Sequence, residues 1–259
     1  MTGQDFNFDA DLAALAWQFD LGADEAIGEE PVSRFEPVEG SRVAERAAEP
    51  VVPAAPVLVD DVSSEALAAA CGDLAALRAA MGRFEGCALR LGAKNLVFAD
   101  GRPGARVMIV GEAPGREEDM AGLPFVGRSG QLLDRMLAAI GLSRRAEDPR
   151  SAVYITNVLP WRPPGNREPA ADEIATMGPF LFRHITLAAP EVLVVMGNSA
   201  LRTVLGITGI TRVRGTWGDW RGVAVMPMFH PAALLRDPTK KREAWADLLA
   251  VRSRLDGYG

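Results

Sequence analysis

Four short apolar runs constrain this chain more than any other feature: Arg106 to Gly111 (RVMIVG), Val153 to Asn157 (VYITN), Val192 to Gly197 (VLVVMG) and Val223 to Met228 (VAVMPM). Each is β-branched or apolar nearly throughout, as expected of strands buried on both faces rather than on one. Helical patterns at Ser129 to Ile140 and Glu173 to Leu187 separate the first three. Strand, helix, strand, helix, strand demands crossovers. The expected fold class is therefore α/β, a three-layer sandwich with a central four-stranded parallel sheet flanked by helices, its ligands met at the carboxyl ends of the strands. A helix capped by Ser63 or Ser64 and running to about Met81 is expected to open this body, which spans 61–259.

The preceding residues differ in kind. Residues 1–60 carry thirteen acidic against three basic side chains, a balance of −10, leaving the rest of the chain at +4 within a total of −6. An amphipathic helix is expected over 9–27, where Leu12, Leu15, Ala16, Phe19 and Leu21 follow Asp9 and Asp11. Beyond it Pro31, Pro37, Pro50, Pro53 and Pro56 forbid long helices, so a largely disordered, Ala- and Pro-rich leader is expected. The 9–27 segment suits either a docking peptide for a protein partner or an extension resting on its own domain. No stretch of about 20 uncharged apolar residues occurs, so no membrane span is expected. Met1 to Ala10 lacks a basic segment before an apolar core, which argues against a secretory signal. Two cysteines, Cys71 and Cys87, build no disulfide framework, and a reducing cytoplasm is expected. Nothing signals an oligomer, and a monomer is the default.

Chemistry-bearing residues gather after the strands. The first runs into GEAPGREEDMAGLPFVGRSGQLLD from Gly111, the second into ITNVLPWRPPGNREP from Ile155, and the fourth into FHPAALLR from Phe229. The glycines of the first loop let backbone N–H groups approach a ligand, but the loop has neither the Gly-Lys-Ser/Thr ending of a phosphate loop nor a clean dinucleotide fingerprint. Singly, each residue has a bland alternative. His230, one of two histidines, could be a hydrogen-bonded structural histidine, Phe125 a core plug, and Asn157 a structural strand end.

Together and in this order, the three motifs resemble the uracil-DNA glycosylase superfamily, most closely its family 4, over roughly residues 84–249. The resemblance implies base excision from DNA, with the target base flipped out of the stack. Phe125 would stack on uracil in a pocket that also includes Gly111 and Ala113. Asn157 would meet its Watson–Crick edge, and His230 would face the carbonyl nearest the sugar. In the best-known branch an Asp follows the first motif's Gly-Gln; here Ala113 follows Glu112, so Glu112 and Glu118 become the candidates for handling water, or Glu118 for excluding a thymine methyl. Glu117 and Asp119 read as solvated. Leu234 or Leu235 resembles the wedge that fills the vacated stack, although an apolar pair after Pro231 equally suits the start of a buried helix. Arg162, Asn166, Arg167, Arg236 and Lys240, with Arg128 a weaker candidate, would grip phosphates. Alternatives are a glycosylase for another deaminated base such as hypoxanthine, and a catalytically weak module that binds damaged DNA.

Family 4 members usually hold a four-iron, four-sulfur cluster with four cysteines. The corresponding positions are Phe84, Cys87, Trp161 and Met177 or Gly178, so only Cys87 remains. One thiolate cannot replace four ligands. No cofactor and no metal are expected, with Phe84, Trp161 and Met177 forming a hydrophobic plug instead.

Overall fold

Alternate residues of every central strand enter opposite cores, and this fixes the layering. A computed structural model of the chain describes residues 63–257; the expected leader and its 9–27 helix lie outside the described residues. In β2 (Val107–Gly111), Val107 and Ile109 join one hydrophobic cluster while Met108 and Val110 join the other. The same alternation holds in β3 (Val153–Asn157), β4 (Val192–Met196) and β6 (Val223–Met228). Both faces being apolar, both must be covered. Helices α5 (Arg128–Ala138) and α10 (Lys241–Leu255) supply Leu133, Leu137, Leu248 and Val251 to one cover. The other cover draws on α1 (Ser64–Ala70), α2 (Leu74–Arg83), α3 (Leu89–Gly92), α6 (Ala171–Ala188), α7 (Asn198–Leu205) and α8 (Ile210–Val213).

The sheet order is β1-β3-β2-β4-β6-β5. The four expected strands form its parallel centre, β3-β2-β4-β6. Two antiparallel edges were not anticipated: β1 (Asp100–Gly101) on β3, and β5 (Gly218–Trp220) on β6. The sheet is thus six-stranded and mixed, within the expected class. From β2 the chain crosses to β3 on one side and then to β4 on the other, so its direction reverses at the carboxyl end of β2 and leaves a crevice there.

A second difference concerns the opening helix. Instead of one helix to Met81, α1 ends at Ala70 and α2 starts at Leu74. Asp73 caps α2 by accepting the Ala76 N–H at 2.7 Å, and Gly72 disfavours continuation. The Arg183 guanidinium of α6 donates to the Cys71 carbonyl at 2.6 and 2.8 Å, using the acceptor that the break frees. None of the described helices is long and apolar enough to cross a membrane.

Candidate active site

The carboxyl ends of β2, β3 and β6 open onto a cavity of about 530 Å³. Phe125, Asn157 and His230 line it, whereas Gly111, expected in the pocket, lies beneath Phe125 and Asn157 rather than on its wall. Gly111 pairs with Asn157 across β2 and β3, and a Cβ at Gly111 would lie 2.5 Å from Phe125 Cζ and overlap Asn157 Oδ1. A side chain is missing here because an amide and an aromatic ring close over the position. The Phe125 ring, buried at 5% exposure, stands 5.3 Å from the His230 imidazole with 28° between their planes. Three groups named from the sequence thus converge: ring, amide and imidazole. Ala113 lines the same cavity, leaving space where a larger side chain would project.

His230 precedes α9 (Pro231–Arg236) and caps it. Its Nδ1 accepts the Ala232 N–H at 3.2 Å, so in the neutral ring the proton sits on Nε2. Burial lowers its pKa to about 4, helped by the positive Arg236 and opposed by Glu118. At neutral pH the cavity therefore contains an uncharged imidazole with one fixed N–H donor.

The two candidate carboxylates differ in what holds them. Glu118, in α4 (Arg116–Ala121), accepts three backbone N–H bonds, from Gly115 at 3.1 Å, Val126 at 3.0 Å and Gly127 at 2.9 Å. It ties the two halves of the Gly-rich loop together. Glu112 instead receives one hydrogen bond, from Ser199 Oγ to Oε2 at 2.6 Å, and lines the cavity. Glu117 is exposed, as expected. Asp119 is not: it is 6% exposed and accepts the N–H groups of Lys94 and Asn95 at 2.8 and 3.1 Å. Its acidity in the sequence hid a tether for an incoming loop.

Of the expected phosphate grips, Asn166, Arg167, Arg236 and Arg128 line the cavity. Arg162 stands behind them, donating to Asn166 Oδ1 at 2.7 Å. The Arg167 fork is engaged by Glu173, at 2.9 and 2.5 Å, and would have to share its donors with a phosphate. Lys240 pairs with Asp237 at 3.2 Å and lies over the Phe229 ring. The two leucines separate clearly. Leu234 is 1% exposed within the core, which removes it as a wedge, while Leu235 is half-buried. Three neighbours of the site were not found from the sequence: Arg116 on the cavity wall, Ser199 in the first turn of α7 after β4, and Arg144 behind Phe125.

The positions corresponding to cluster ligands do not form a ligand set. Trp161 and Met177 are 3% and 1% exposed, and Phe84 packs edge-on to Phe180 with ring centroids 5.1 Å apart. All three contact the same core as Cys87. Burial raises the Cys87 pKa, the Leu89 backbone partly opposes this, and Glu173 and Asp172 raise it further. Cys71 lies apart, its Sγ donating to Leu67 O at 3.1 Å. A four-iron, four-sulfur cluster requires four such ligands, so the residues present do not fit it. Among the described residues no group of three or more His, Cys, Asp or Glu is arranged to hold a metal ion.

Comparison with known proteins agrees with this geometry. A family model described as the uracil DNA glycosylase superfamily matches residues 98–249. The type-4 uracil-DNA glycosylase of Archaeoglobus fulgidus is 41% identical over 176 residues, covering 64% of this chain and 84% of that protein. The type-4 enzyme of Thermotoga maritima is 44% identical over 154 residues, 58% and 77% of the respective chains. That of Sulfurisphaera tokodaii is 39% identical over 168 residues, 61% and 74%.

Proposed function

Since the chain belongs to the uracil DNA glycosylase superfamily, we propose that it hydrolyses the N-glycosidic bond of uracil in DNA, leaving an abasic site and initiating base-excision repair. It acts as a monofunctional glycosylase on a base flipped into the cavity described above.

The observation that carries this reading is the state of His230. Cleavage leaves negative charge on the departing base, and a donor fixed in advance stabilises that charge without reorganising. The cap on Nδ1 directs the proton to Nε2, and burial keeps the ring neutral. A neutral imidazole donates without giving up its proton, so the base leaves as a hydrogen-bonded anion. Phe125 stacks on the base. Asn157 offers one donor and one acceptor, a pair that suits uracil and leaves unmatched polar groups against cytosine. Glu112, restrained by Ser199 on one oxygen only, holds the attacking water. Glu118 shapes the loop.

Arg128, Arg236 and Asn166, with Arg162 behind it and Arg167 beside it, hold the phosphates, and Leu235 is the wedge. Catalysis proceeds without an iron–sulfur cluster, because the plug of Phe84, Trp161 and Met177 joins the segments that a cluster would join. The acidic leader meets a protein partner, while the enzyme itself is a cytoplasmic monomer. The apolar residues of the 9–27 segment, Trp17 and Phe19 among them, set off by the Pro-rich stretch that follows, support the partner, and the two cysteines support a reducing compartment.

The test is release of base from an oligonucleotide carrying one uracil, using protein whose iron content and visible absorbance are recorded on the same sample. Release by colourless protein is expected. His230→Ala should reduce the rate about 100- to 1000-fold while retaining DNA binding. Full activity in that variant, or brown iron-loaded protein, would overturn the corresponding part of the proposal.

A further inference from the structure

Behind the base-stacking ring lies a buried cation that none of the chemistry above uses. Arg144 is 7% exposed. Its Nε donates to Asp134 at 2.7 Å, its Nη1 to Asp100 at 3.0 Å and to the Pro124 carbonyl at 2.9 Å, and its Nη2 to the Phe125 carbonyl at 3.0 Å. Four of five guanidinium donors are thus placed. The two carboxylates balance the charge and orient the plane, and the plane grips consecutive carbonyls.

Those carbonyls belong to a strained turn. Phe125 has φ 54, a left-handed conformation that a bulky residue keeps only under outside restraint. Gly130 provides part of the restraint, since a Cβ there would overlap the Phe125 carbonyl. Arg144 holds the same carbonyl by hydrogen bonding. Reversing the turn would swing the ring away from Asn157 and His230.

Resting on the glycosylase reading, we propose that Arg144 is a positioning residue for base recognition: its buried guanidinium locks the Pro124–Phe125 backbone and so holds the Phe125 ring against the flipped uracil. Arg144 does not line the cavity. Its effect passes through Phe125 alone. A lysine at this position offers a point charge without the planar fork and cannot grip both carbonyls and both carboxylates.

A double-mutant cycle tests this. Arg144→Lys should lower kcat/KM for uracil release about tenfold, the equivalent of one buried hydrogen-bonded contact. Most of the loss should appear in KM and in weakened binding of free uracil, measured by saturation-transfer NMR. In a Phe125→Ala background the same substitution should change activity less than about twofold. Asp134→Asn removes one half-exposed partner, is expected to fold normally, and should give a smaller loss of the same kind. Equal losses from Arg144→Lys in both backgrounds, or a loss confined to kcat, would overturn the positioning role. If the unaltered protein neither releases nor binds uracil, the glycosylase reading falls and the inference with it.

Discussion

Gly111 allows the tightest test of the cavity, because one methyl group strikes two recognition groups at once. In Gly111→Ala the new Cβ would stand 2.5 Å from Cζ and 2.6 Å from Cε2 of Phe125 and would overlap Asn157 Oδ1. Carbon atoms in contact settle at about 3.5 to 4.0 Å. The ring must therefore retreat by roughly 1 Å, or β2 must shift against β3 and disturb five paired residues. The ring is the softer element. A 1 Å error in a positioned group can cost about 100-fold, or some 2.7 kcal/mol of transition-state stabilisation. Overpacking should cost about 1 to 3 kcal/mol of stability, which leaves the protein folded at 25 °C. Single-turnover release from a uracil oligonucleotide, paired with urea denaturation, separates the two effects. A variant that folds and retains more than about a third of wild-type kcat/KM would refute the role of Phe125 and Asn157 in recognising the base.

Acid sensitivity follows from the histidines. His184, 1% exposed and hydrogen-bonded to the Tyr154 hydroxyl at 2.9 Å, has its pKa lowered by burial to about 3. Because the folded value lies below the unfolded 6.5, its contribution is intact above pH 6.5 and declines as pH falls from there toward 3; at pH 4 the loss is about 3 kcal/mol. Urea midpoints between pH 7 and 4 should drop more for wild type than for His184→Gln, and equal drops would refute this. Uracil release, so far as His230 governs it, should stay flat down to about pH 5 and fail as pH passes through about 4. Leu234→Ala should lose about 2 to 5 kcal/mol of stability, whereas Leu235→Ala should remain within about 1 kcal/mol of wild type and lose activity mainly on duplex DNA; unfolding curves and paired substrates distinguish them. Cys87→Ala should leave uracil release unchanged and neither protein should contain iron by elemental analysis.

The central strands were legible because burial on both faces wrote uninterrupted apolar runs into the sequence. β1 and β5 were not, since two and three residues carry no period and exist as strands only through their partners. The split between α1 and α2 was signalled by Gly72 and Asp73, but the alanine-rich composition on either side outweighed it. Within the site, Phe125, Asn157 and His230 were legible because each follows a strand in a recognisable motif. Ser199 follows a strand too, but VLVVMG carries only an apolar pattern, and nothing in its sequence marks the serine after it as the partner of Glu112. Arg144 was out of reach: its meaning depends on Asp100, Asp134 and two carbonyls distant in sequence. Asp119 was misplaced for the same reason, as its partners at 94 and 95 lie well before it.

The brevity of the sheet's borders has a consequence for company. β1 ends at Gly101, whose φ of 89 bends the chain, and a Cβ there would collide with the Val153 carbonyl. β5 presents three residues before Arg221 turns back at φ 52. Neither rim exposes enough straight backbone to template an added strand, the usual route to fibrils and to peptide capture by sheet extension. Among the described residues, the surface left for association is that of helices and loops.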